Sequence, residues 1–126
     1  TFYDDGDPLD IIVMINEPTF PGCVIEARPI GLFKMLDQGV ADDKVLAVPA
    51  TDPIFEDYRD IKDIPRHFLK EVAHFFEVYK DLEGKSVTIG DFKNRDFAHD
   101  IYNNSVNRFA SQPKSVNKIT NYYKRA

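Results

Sequence analysis

The sequence predicts an α+β fold with a mainly β core, a small antiparallel barrel with helices packed outside it. Three observations carry this expectation. Short apolar segments punctuated by Pro and Gly fill the first half of the chain. Two stretches of helical period fill much of the second half. The 126 residues are 43% hydrophobic and 13% aromatic, enough for a single core and for one domain.

Taken in order, "LDIIVMI" (9–15) is β-branched and bounded by turn signals, which predicts a mostly buried strand. "NEPTFPG" is a turn. "CVIEARPIGLFKML" (23–36) reads as one or two strands, with Pro29 and Gly31 marking a bend or bulge. Cys23 falls within it and is expected in the core. "DQGVADD" reads as an acidic loop, "KVLAVP" (44–49) as a short strand, and 50–65 as a further loop. A helix follows, with Asp63 placed to cap it and Pro65 in its first turn. Phe68, Leu69, Val72, Phe75, Phe76, Tyr79 and Leu82 give it one apolar stripe, and Gly84 supplies the stop. "KSVTIGDF" is the last strand. Residues 94–110 form a second amphipathic helix through Phe97, Ile101, Tyr102, Val106 and Phe109.

The net charge of −5 is unevenly spread. Residues 112–126 hold four basic residues and no acid, leaving 12 basic against 21 acidic residues in 1–111. An acidic body argues against nucleic acid as the main partner and suits metal cations, or anions bridged by cations. No stretch reaches the roughly 20 apolar residues of a membrane helix. The single Cys23 excludes an intramolecular disulfide, which fits a reducing cytoplasm.

The chemistry concentrates in three places. "DDGDPLD" (4–10) crowds four carboxylates ahead of the first strand, and Asp5, Asp7 and Asp10 form D-x-D-x-x-D. Carboxylates at this density suit hard cations, Mg²⁺, Mn²⁺ or Ca²⁺, although an EF-hand loop is excluded by spacing and a solvated acidic turn is the plain alternative. "DQGVADDK" adds Asp37, Asp42, Asp43 and Lys44 between two strands, with Asp43 expected to face solvent. Tyr79 and Lys80 close the first helix, where Tyr79 could equally be a core residue and Lys80 a partner of the helix dipole. Carboxylates, cations, lysines and a tyrosine hydroxyl together describe phosphoryl chemistry. No Walker A loop or Rossmann fingerprint is present.

These stretches resemble a known family. "DGDPLDI" (5–11) looks like the signature of the soluble family I inorganic pyrophosphatases, "KMLDQGVADDKVLAVP" (34–49) resembles their second acidic loop, and "HFFEVYKDLEGK" (74–85) their Tyr-Lys helix end. The resemblance implies an OB-type five-stranded closed barrel with flanking α-helices. It implies Mg²⁺-dependent hydrolysis of pyrophosphate, with several ions per site and Mn²⁺ as a substitute. It assigns Asp5, Asp10, Asp37 and Asp42 as metal ligands, Asp7 as the group that deprotonates the attacking water, and Lys44, Tyr79 and Lys80 as phosphate contacts. It also implies a cytoplasmic homo-oligomer, with a hexamer favoured over a dimer. Family chains continue upstream with further site residues and strands. Residues 1–111 are therefore read as an N-terminally incomplete pyrophosphatase domain and 112–126 as a basic C-terminal tail. A non-catalytic metal- or anion-binding module and an assembly subunit are the rival readings.

Overall fold

The structure, a computed structural model, describes residues 8–111. Five strands and two long helices follow one another as β1 (Asp10–Val13), β2 (Ala27–Asp37), β3 (Val40–Ala41), β4 (Lys44–Pro49), α1 (Arg66–Leu82), β5 (Val87–Lys93) and α2 (Arg95–Ser111). Two 3₁₀ turns, Pro53–Phe55 and Ile61–Asp63, lie between β4 and α1.

β2 is the spine. It pairs antiparallel with β3 and β4 on one side and with β5 on the other, while β1 lies beyond β4. The bend expected at Pro29 and Gly31 is present as a register shift against β4. Three features differ from the sequence expectation. β1 runs parallel to β4, so the sheet is mixed rather than antiparallel. β3 is a two-residue strand inside the expected acidic loop. β1 and β5 do not pair with each other, so the described residues form a curled, open sheet.

Alternation along the strands splits the apolar side chains between two faces. On one face Ile30, Phe33, Met35, Leu46 and Val48 join Phe55 and Ile64 of the segment between β4 and α1, and Val72 of α1, in the main core. Phe33 stacks on Phe92 at 4.9 Å between ring centroids. On the other face Leu32 and Val45 meet Ala98 and Ile101 of α2. The two helices thus cover opposite faces, and α2 approaches through the small buried residues Ala98 and Ser105 while Phe97 and Tyr102 of its expected stripe are exposed. The α1 stripe buries only its first half: Phe75 is 58% exposed and Leu82 84%. Both helices are present where helical period placed them. Cys23 lies exposed in the segment before β2, so its expected core position is wrong. A strand needs ladder partners, and β2 acquires them only from Ala27 onward.

Asp63 does not cap α1. Its carboxylate accepts the backbone N–H groups of Arg59 and Asp60, and together with Asp60 it closes a capping box around the second 3₁₀ turn. Pro65 stands at the N-cap of α1 with no side-chain cap, which suits a residue without an N–H to satisfy. Among the described residues no helix is long and apolar enough to cross a membrane.

Candidate active site

A cavity of about 630 Å³ opens beside the start of β1. Its charged lining consists of Asp10, Asp37, Asp42, Lys44, Lys80 and Lys85, so three carboxylates face three ammonium groups.

The fold brings these residues together from distant parts of the chain. In the parallel ladder Asp10 is the direct partner of Lys44. Lys44 Nζ also donates to Asp42 Oδ1 at 2.8 Å, so one ammonium bridges two carboxylates. Asp42 and Lys44 are two residues apart and share a face, the one on which the Phe76 ring lies 5.7 Å from Lys44 Nζ. Asp37 ends β2. A two-residue turn follows, in which Gln38 (φ 52°) and Gly39 (φ 80°) are both left-handed, the geometry that a tight hairpin requires. Lys80, in the last turn of α1, reaches back across 43 residues to Asp37 Oδ2 at 2.9 Å. Gly84 then turns the chain with φ 71°, which carries Lys85 to the cavity rim.

Burial opposes the charge on Lys44, yet the hydrogen bonds and charges of Asp10 and Asp42 together outweigh it and raise its pKa. The hydrogen bond to Asp37 raises that of Lys80, against a smaller opposing effect of burial. Both side chains are cations at neutral pH. Asp37 keeps a second, buried oxygen, Oδ1, that has no hydrogen-bond partner. Three carboxylates are hard donors of the kind Mg²⁺ takes, and an orphaned buried carboxylate oxygen suits a cation, so the donor chemistry fits. Among the described residues, no three His, Cys, Asp or Glu side chains are already gathered into a ligand set.

Of the residues singled out in the sequence, Asp10, Asp37, Asp42, Lys44 and Lys80 converge on this cavity. Asp5 and Asp7 lie outside the described residues. Tyr79 does not line the cavity: its ring stacks on Phe75 with centroids 5.7 Å apart, and its hydroxyl donates to Glu83, lowering the pKa of that carboxyl. Asp43 corrects the expectation that it faces solvent. It is 3% exposed, accepts the Met35 N–H through Oδ1 at 3.3 Å, and lies 3.5 Å from Lys34 Nζ. Lys85 was not anticipated, because nothing local distinguishes it from a solvated lysine after a helix.

A family model described as inorganic pyrophosphatase matches residues 1–110. The inorganic pyrophosphatase of Geobacillus stearothermophilus is 49% identical over 108 residues, covering 86% of this chain and 66% of that protein. That of Streptomyces coelicolor is 50% identical over 113 residues, covering 89% and 69%. Among solved structures, the inorganic pyrophosphatase of Thermus thermophilus superposes with a TM-score of 0.84 at 37% identity, covering 88% of this chain and 66% of the other. The chain thus spans about two thirds of the length of the relatives it matches.

Proposed function

The chain belongs to the inorganic pyrophosphatase family, and on that premise we propose that it hydrolyses inorganic pyrophosphate to two orthophosphates with Mg²⁺ as the required metal and Mn²⁺ as a substitute. One observation carries the reading. Carboxylates and lysines alternate around a single cavity, Asp10–Lys44–Asp42 on one side and Asp37–Lys80 on the other.

Asp10, Asp37 and Asp42 would hold Mg²⁺ together with Asp5. When bound, the metal neutralises phosphate charge and brings a water's pKa towards neutrality. The protein's own groups do the rest. Lys44 and Lys80, already held as cations, exchange a carboxylate partner for phosphate oxygens and so keep the substrate's charge compensated while the leaving phosphate departs. Asp7 orients the attacking water and accepts its proton. For Tyr79 to contact phosphate, its hydroxyl must leave Glu83, a rotation open to a half-exposed side chain. The closed OB-type barrel is the fuller form of this sheet, completed at the β1 and β5 edges. The protein is further proposed to work in the cytoplasm as a homo-oligomer, with a hexamer favoured over a dimer. Exposed apolar side chains on α1, among them Val78 and Leu82, offer it surface to bury.

The test is orthophosphate release from pyrophosphate by the complete gene product with and without Mg²⁺. Turnover should require the metal, and Asp7→Asn should lower it roughly 10²–10⁴-fold, the usual worth of a general base. Metal and pyrophosphate binding with no orthophosphate formed would instead identify a non-catalytic binding module.

A further inference from the structure

We propose that Asp43, which faces away from the cavity, is a positioning residue that sets Asp42 and Lys44 in place for metal and substrate. The proposal rests on the cavity being the pyrophosphatase site.

Between the paired positions Leu36↔Ala41 and Phe33↔Lys44, the ladder along β2 is interrupted opposite Asp42 and Asp43. The register is the same on either side of the gap, so Asp42 stands opposite Met35, and only the Met35 N–H is without its regular strand carbonyl. Two consecutive residues complete the bonding of Met35, the first as an ordinary ladder partner and the second as a substitute. The Asp42 N–H donates to the Met35 carbonyl at 2.9 Å. The Asp43 carboxylate, in place of a strand carbonyl, accepts the Met35 N–H. Met35 itself is fixed in the main core at 2% exposure, so the interruption is pinned to an immobile point.

Alternation does the remainder. With Asp43 drawn to the Lys34 face, its neighbours Asp42 and Lys44 must point to the opposite face, into the cavity. A one-residue slip would reverse all three. Lys34 is held in turn: β5 passes so close that a Cβ on Gly90 would stand 2.8 Å from the Lys34 carbonyl oxygen. The Lys34 ammonium, 3.5 Å from Asp43 Oδ2, balances the buried carboxylate. Asp43 therefore touches neither metal nor substrate and acts through its neighbours.

The experiment compares Asp43→Ala, Asp43→Asn and wild type in the complete gene product. The readouts are Mn²⁺ affinity by isothermal titration and kcat and KM for pyrophosphate. An amide oxygen can still accept the Met35 N–H, so Asp43→Asn should stay within about threefold of wild type on the scale of supporting-shell changes, whereas Asp43→Ala should lose about tenfold or more in Mn²⁺ affinity and in kcat. A merely structural role predicts lower melting temperatures for the variants with unchanged Mn²⁺ affinity in the folded protein, and that result overturns the proposal. Should Asp43→Ala fail to fold, Asp43→Ser decides on the same readouts: its shorter side chain leaves the Met35 N–H unbonded, and wild-type affinity there is likewise contrary. Wild-type protein that neither binds Mn²⁺ nor releases orthophosphate would overturn the assignment of the cavity itself, which is a separate result from equal behaviour of the variants.

Discussion

Lys80 is held by a single carboxylate, and the strength of that hold is measurable. Its ammonium lies on Asp37, with Asp42 and Glu83 adding attraction from further away. Lys80→Ala should raise KM for pyrophosphate and lower kcat, because a phosphate contact and a counter-charge are lost together. The helix should survive, since a cation in the last turn is worth only about 0.3–1 kcal/mol to it. Steady-state kinetics alongside far-ultraviolet circular dichroism separates the two effects, and loss of helix would assign Lys80 to stability instead. At this scale the sequence displayed the residue types but not their pairs. That Asp10 meets Lys44 follows from a parallel register joining positions 34 apart, which no local spacing encodes. Asp43 is the converse case. That it turns away from the cavity was legible in principle, because Asp42 and Lys44 share a parity that excludes it, but its burial was not. An acidic run nonetheless looks like solvent-facing loop until a strand is known to pass through it.

Asp60 joins two elements with one carboxylate. Oδ1 accepts the Ile61 N–H at 2.7 Å, capping the 3₁₀ turn, and the Arg95 N–H at 2.9 Å, the first residue of α2. The Arg95 bond, then that of Ile61, holds the Asp60 pKa below the ordinary carboxylate value. A lowered folded-state pKa contributes stability that is present above the unfolded value near 3.9 and is lost as pH falls through the folded one. Asp60→Ala should cost about 1 kcal/mol at neutral pH, the usual worth of a cap. Asp60→Asn should flatten the loss of stability below about pH 4. Urea denaturation at several pH values checks both. Gly90 tests an element through close approach instead of charge. It sits where β5 shifts register against β2, between the partners of Phe33 and Met35. A methyl group there would meet the Lys34 carbonyl, which is backbone and cannot swing aside. Gly90→Ala should therefore destabilise by about 1–3 kcal/mol, the range for overpacking, as read from thermal unfolding. Helices were the most legible elements, since their 3.6-residue period is local. Their caps were less so: Asp60 and Asp63 are equally good capping residues by type, and only the structure shows them bonded to each other's turn.

The whole molecule is organised around β2, whose eleven residues serve partners from very different distances along the chain. The sequence supplied every strand but β3 as a segment, and the class as α+β, but not the order of the sheet, because the pairing of β1 with β4 skips over β2 and leaves no local trace. That arrangement has a consequence in time. The β2–β3–β4 unit closes through a two-residue turn, whereas β5 meets β2 from beyond α1, and β1 meets β4 from beyond β2 and β3. Nearby pairings close at lower entropic cost and so form first. During refolding of the complete gene product, pulsed hydrogen exchange should find the amides of Leu46 and Val48, which alternation turns towards β2, protected ahead of Thr88 in β5. Simultaneous protection would mean that the sheet assembles in a single step. If the order holds, Asp37, Asp42 and Lys44 arrive on one early hairpin, and Asp10 and Lys80 are delivered to it later by β1 and α1, so the cavity exists only once the last of these pieces has docked.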